Sequence, residues 1–219
     1  MAENNLPTLT YFPLHAKAEP IRMLLKQANV AFNDKTMVKD QFLLIKDTLP
    51  AGQLPIWVES DGTTYNQAAA ILRLLGRKYN FYAEAGNDME AYYIDWALET
   101  YGEFWNHWIY KMWLSPTDAP TDEKLAEGVE RFVHFNNQIE AHFAKMNNAP
   151  FFAGDRMTIA DFVMFSCYIS FVDNPGCIRP ECQAALAAKM EATPLVQAYI
   201  GRMKTVMPEY LAIRSSYRC

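Results

Sequence analysis

A chain of 219 residues that is 51% hydrophobic carries enough apolar material for one large domain or two small ones. Its formal charge of −5, without any Lys/Arg run, argues against nucleic acid or an anionic membrane surface as the main partner. No window offers the ~18 uninterrupted apolar residues of a membrane span, and MAENNLPTLTYF has neither the basic nor the apolar region of a secretory leader, so a cytoplasmic location is expected.

Thr8-Leu9-Thr10-Tyr11-Phe12 reads as a short strand ended by Pro13, and a helix follows from Glu19 with Pro20 in its first turn and Ile21, Leu24, Leu25 and Ala28 at helical spacing. Ala31-Phe32 with Thr36-Met37-Val38 predict a second strand, and residues 42–46 a helical turn. The densest signals lie in residues 51–75. Ile56-Trp57-Val58 and Thr63-Thr64-Tyr65 are β-branched and aromatic, and Asp61-Gly62 between them supplies a tight turn, so the segment predicts a hairpin. Pro55 holds Leu54 extended and donates no hydrogen bond, which leaves the N–H and C=O of Leu54 for a second extended peptide. Asn66 is placed as the N-cap of the next helix, whose first turn, Gln67-Ala68-Ala69, offers unpaired N–H groups and a positive dipole end to a carboxylate. Handles for a backbone and an anion describe a small acidic peptide; a plain structural hairpin capped by a helix is the alternative. The order β-α-β-α-β-β-α gives a small mixed sheet with helices on its faces, a thioredoxin-like arrangement.

Polar residues 80–87 with Gly86 read as a linker, beyond which strand signals vanish. The domains are therefore expected at 1–80 and 88–219, the second all helical. Residues 88–114 predict one long helix, Pro116 and Pro120 interrupt it, and residues 121–147 resume with Leu125, Val129, Phe132, Val133, Phe135, Ile139 and Phe143 at near-helical spacing, as in an antiparallel bundle. Thr158 and Asp161 form a variant capping box with Met157 and Phe162 at the staple positions. Two further helices are expected at 181–191 and 195–204, then a polar tail to Cys219. Cys167, Cys177, Cys182 and Cys219 include no C-x-x-C pair, so free thiols in a reducing compartment are expected.

Without C-x-x-C, the reactive candidate at the ligand edge of such a sheet is Tyr11. Its phenol stays protonated at neutral pH and can donate one hydrogen bond to an anion. Such a bond is worth ~1.5–3 kcal/mol, enough to lower a bound thiol's pKa by roughly one to two units. The plainer reading makes Tyr11 a good strand former beside Phe12. Trp96, Trp105, Trp108 and Trp113 share one helix with Tyr92, Tyr93, Tyr101, Phe104 and Tyr110; core and dimer packing uses most of them, and an apolar pocket can take Phe12, Leu14, Trp105 and Trp108. Asp95, Glu99 and Glu103 recur at i, i+4 as an acidic stripe, read as a solvated face, with a metal or an amine at a subunit interface as the alternative. His15, His107, His134 and His142 show no ligand spacing and read as surface or packing residues.

The stretches TLTYFPLHAKAEPIRMLLKQANVAF, TLPAGQLPIWVESDGTTYNQAAAILRLLGRKYNF and FFAGDRMTIADF resemble the cytosolic glutathione transferases over nearly the whole chain, most of all the sigma class, which includes invertebrate transferases, lens S-crystallins and haematopoietic prostaglandin D synthases. The resemblance implies an α/β thioredoxin-like N-terminal domain and an all-α C-terminal domain, glutathione as co-substrate with no metal required, and a homodimer acting on a small hydrophobic electrophile. It makes Tyr11 the catalytic donor to the glutathione thiolate and Leu54, before a cis-Pro55, the partner of the cysteinyl backbone. Gln67 and the Ala68 amide would hold the γ-glutamyl end, Lys46 and Gln53 the glycine carboxylate, with Phe42 where the family usually has tryptophan. Glu103 falls where an acidic residue of the neighbouring subunit meets the glutamyl amine. Three departures concern the same ligand: Ala68 lacks the usual serine hydroxyl, Lys17 replaces an arginine fork by a point charge, and Gln53 replaces a frequent lysine. The alternatives are a glutathione-dependent prostaglandin D isomerase and a weakly active or non-enzymatic, crystallin-like glutathione binder.

Overall fold

The computed structural model describes residues 6–106, 121–147 and 149–214. Four strands, β1 (Thr8–Tyr11), β2 (Asn33–Thr36), β3 (Ile56–Val58) and β4 (Thr64–Asn66), form one sheet in the order β2-β1-β3-β4. The β1–β2 pair is parallel and the other two pairs are antiparallel. The parallel pair needs a crossover, supplied by α1 (Glu19–Gln27), whereas β3 and β4 need only the turn at Asp61-Gly62. Asp61 Oδ1 accepts the Thr63 N–H at 2.8 Å, and Gly62 takes a φ of 90°, which the absence of a Cβ permits. Short α2 (Lys39–Ile45) follows β2, and α3 (Ala68–Lys78) follows β4.

Three expectations are corrected here. Asn66 is not the N-cap of α3: it pairs with Ile56 in the sheet, and Gln67, at φ 68°, takes the cap position without a side-chain cap bond. The second strand uses the exposed residues of Asn33–Thr36, because its partner β1 recruits backbone at an edge and Phe32 instead tucks against buried Trp57, 6.2 Å between ring centroids. The tail is not simply polar: the last described segment holds a helix, Pro208–Ile213, whose Tyr210 is buried.

Beyond residue 87 the described elements are helices: α4 (Asp88–Phe104), α5 (Asp122–Lys145), α6 (Ile159–Phe171), α7 (Pro180–Ala187), α8 (Pro194–Val206) and α9 (Pro208–Ile213). The expected continuation of α4 over 107–114 lies outside the described residues. Every residue of α6 is buried, and it packs on α4, α1 and α8, so it is the spine joining sheet and helices. Its start is fixed as the sequence predicts: Asp161 reaches back to the Thr158 N–H at 2.8 Å. The segment between α3 and α4 is anchored by Arg156, whose Nη1 donates to Asn80 O at 3.0 Å, whose Nη2 donates to Tyr82 O, and whose Nε meets Glu90 at 2.8 Å. Cys167 and Cys182 are buried free thiols. Among the described residues no helix is long and apolar enough to cross a membrane.

Candidate functional site

Tyr11 is the last residue of β1 and is 5% exposed. The ring of Phe12 meets it edge-on at 5.6 Å, and Phe42 from α2 meets Phe12 in turn at 5.2 Å. Burial pushes the Tyr11 phenol up to about 12, with the Lys17 backbone N–H and the Arg22 charge pulling the other way. The group therefore keeps its proton at neutral pH and is able to donate a hydrogen bond.

Between β2 and β4 the chain brings a second set together. The Leu54–Pro55 bond is cis, and among the described residues neither the N–H nor the C=O of Leu54 is taken by another backbone group. The Gln67 amide donates to Gln53 Oε1 at 3.2 Å, so two residues placed on opposite ends of the peptide site touch one another. The stem of Lys46 lies over Gly52, 3.5 Å from where a Cβ would stand, beside Gln53. Ala68 opens α3, whose first N–H groups have no side-chain cap.

The remaining candidates are placed differently. Lys17 turns its ammonium to Asn106 Oδ1 at 2.9 Å, just past α4, and partial burial lowers its pKa. Trp105 is 4% exposed and packs on Phe171 and Tyr101, whereas Phe12 and Leu14 are half-buried. Trp108 lies outside the described residues. Glu103 is exposed and faces a cleft of about 450 Å³ between α4 and α5, lined also by Glu127, Glu130, Arg131 and His134 and by none of the other candidates.

The acidic stripe is not simply solvated: Arg73 of α3 binds Asp95 at 2.8 Å and Glu99 at 2.9 Å, and the Tyr82 hydroxyl donates to Asp95. Among the described residues no cluster of His, Cys, Asp or Glu is fit to hold a metal ion. His15 is fully buried, its Nδ1 2.9 Å from Glu19 Oε2, and His142 is buried against Phe152 with Nε2 at 2.7 Å from that residue's carbonyl oxygen. Sequence reasoning missed Asn106 and the ionic group beneath Tyr11, made of Glu19, Arg22, Asp34 and Arg214. The Glu19–Arg22 spacing was legible; nothing in the sequence pointed to Arg214.

Residues 105–202 match the family model described as "Glutathione S-transferase, C-terminal domain". The chain is 31% identical over 214 residues to a glutathione S-transferase of Dirofilaria immitis, covering 95% of this chain and 93% of that one. It is 26% identical to the S-crystallin SL11 of Nototodarus sloanii, over 89% of this chain and 95% of that one. The solved structure of prostaglandin synthase D of Nilaparvata lugens superposes with a TM-score of 0.75 at 25% identity, covering 96% of this chain and 98% of that one.

Proposed function

The chain belongs to the glutathione S-transferase family, and on that premise we propose that Tyr11 activates glutathione by donating its phenolic hydrogen bond to the thiolate sulfur. The observation that carries this reading is the buried, protonated phenol at the end of β1. The thiol proton leaves to solvent, the phenol keeps its own, and the sulfur forms the new bond to the electrophilic carbon of a hydrophobic acceptor. That carbon's bond to its leaving group breaks, and the leaving group departs with the electron pair. The protein supplies orientation and a depressed thiol pKa.

In this reading residues 1–80 hold glutathione and residues 88–219 complete the acceptor site. Leu54 pairs with the cysteinyl backbone, supported by its unclaimed N–H and C=O beside cis-Pro55. Gln67 and the amide of Ala68 take the γ-glutamyl carboxylate, Lys46 and Gln53 the glycine end, and Phe42 flanks it. Phe12, Leu14, Trp105 and Trp108 are the residues assigned to the acceptor. Lys17 adds positive charge near Tyr11. Glu103, which faces a cleft that none of the other candidates lines, serves the site of a second subunit in a homodimer. The same reading takes the class as sigma, the setting as cytoplasmic and the role as detoxification without a metal.

Replacing Tyr11 by Phe tests the reading: turnover at neutral pH falls while most glutathione affinity survives, and the bound thiol, followed by ultraviolet difference absorbance, regains its free pKa. Unchanged turnover or an unchanged thiol pKa sinks the role. The likeness to a prostaglandin synthase favours one second reading, a glutathione-dependent isomerase using the same thiolate. An isomerase leaves total glutathione constant and a transferase consumes it, so glutathione accounting during turnover separates them.

A further inference from the structure

Glu19, the first residue of α1, is 1% exposed and its two carboxylate oxygens are divided between distant parts of the chain. Oε2 lies 2.9 Å from His15 Nδ1 and 3.7 Å from the Arg22 guanidinium. Oε1 accepts from Arg214 Nε at 2.6 Å, across 195 positions of sequence. Arg214 continues to Ser170 Oγ on α6 at 3.3 Å, and Tyr210 of α9 is buried. Arg22 grips the same region from the other side: its Nη1 donates to Leu14 O at 2.9 Å and to His15 O at 3.5 Å, while its Nε meets Asp34 at 2.8 Å.

This ionic group encloses the turn that carries Lys17. Ala16 stands at φ 40°, a left-handed conformation costly for a residue with a Cβ, and such a geometry persists only where the surroundings over-determine it. Here the two preceding carbonyls are held by Arg22 and the His15 ring by Glu19, so the turn that follows Tyr11 in the chain is fixed. The Lys17 N–H it carries is the backbone group that pulls the Tyr11 phenol's pKa down.

We propose that Arg214 is a positioning residue for the transferase reaction: through Glu19 and His15 it sets the turn beneath Tyr11, and so the hydrogen bond Tyr11 gives to the thiolate. The inference rests on the reading of Tyr11 as that donor. Arginine suits the task because its planar fork reaches Glu19 through Nε and Ser170 through Nη2 at once, which a lysine's single ammonium does not reproduce.

The test uses the full chain with Arg214→Ala, Arg214→Lys and Ser170→Ala, and reads the bound glutathione thiol by ultraviolet difference titration beside kcat and KM across pH. Arg214→Ala raises the thiol pKa by about half to one unit, a three- to tenfold loss of thiolate well below that pKa, with the KM for glutathione little changed. Arg214→Lys restores part of the shift. Ser170→Ala, which removes only the outer contact and spares the ion pair, shows a smaller shift of the same sign and serves if Arg214→Ala fails to fold. A wild-type thiol pKa and pH profile in Arg214→Ala, or in Ser170→Ala with Arg214→Lys should the alanine variant not fold, overturns the proposal. Tyr11→Phe run alongside separates the two ideas: a shift there without one in the Arg214 variants fails only the positioning role, and no shift in Tyr11→Phe fails both.

Discussion

Burial of Tyr11 works for a donor and against a nucleophile, because desolvation penalises the phenolate and leaves the O–H in place. In the proposed reading the γ-glutamyl carboxylate of the same ligand meets the amide of Ala68, which lacks the hydroxyl that would bond it. Ala68→Ser is therefore expected to tighten glutathione binding by about 1–2 kcal/mol, about five- to thirtyfold, measured as Kd by calorimetry. Burial acts in the same direction on Asp161. Burial pushes its carboxyl up to about 6, against the Phe152 and Thr158 N–H groups and the Tyr199 hydroxyl that favour the charged form. A folded value above the ordinary 3.8 means that the stability it contributes is complete below pH 3.8 and is lost as pH rises toward 6. Wild type is thus expected to lose about 3 kcal/mol of its advantage over Asp161→Asn across that window, read from urea unfolding of both proteins at a series of pH values.

The hairpin was legible because its cause is local: Asp61 caps its own turn and Gly62 takes the positive φ, both within four residues of sequence. The start of α3 was not, since Asn66 is a good N-cap by chemistry but the sheet claims it through Ile56, a partner ten residues earlier. The displaced cap matters to the site, for it leaves the first N–H groups of α3 to a ligand rather than to a side chain. Farther along, α3 meets α6 at Gly76, where an added Cβ would stand 2.8 Å from Ile159 Cγ2. Overpacking costs ~1–3 kcal/mol, more than the ~1 kcal/mol that alanine gains over glycine inside a helix. Gly76→Ala is expected to destabilise by about 1–2 kcal/mol, and in the Ile159→Ala background, where the clashing methyl is gone, the same change should be neutral or stabilising. Equal costs in both backgrounds would show that Ile159 is not the obstacle.

At the scale of the molecule, the sequence shows a sheet unit and a helical unit, Tyr11 and Leu54–Pro55 by local pattern, and Gln67, Lys46 and Gln53 by resemblance. How the two units are joined has no local signature. Arg156 holds the connecting carbonyls 76 and 74 positions away, and Arg214 reaches Glu19 across 195, pairings that only the finished fold brings within hydrogen-bond distance. The second pairing makes acid sensitivity a property of the joint. Burial alone would raise the Glu19 carboxyl, but the His15 and Arg214 contacts outweigh it and hold the pKa at about 2, below the ordinary 4.5. Ionised Glu19 therefore stabilises the fold fully above pH 4.5, and the contribution is lost as pH falls toward 2. The whole shift corresponds to about 3 kcal/mol, and roughly half of it should have gone by about pH 3. Glu19→Gln cannot titrate, so its deficit against wild type in urea unfolding should be large at neutral pH and shrink by roughly half at about pH 3. A deficit that stays constant with pH would mean that Glu19 joins the units by shape and hydrogen bonding alone, and that its charge contributes nothing to holding the last helix against the first.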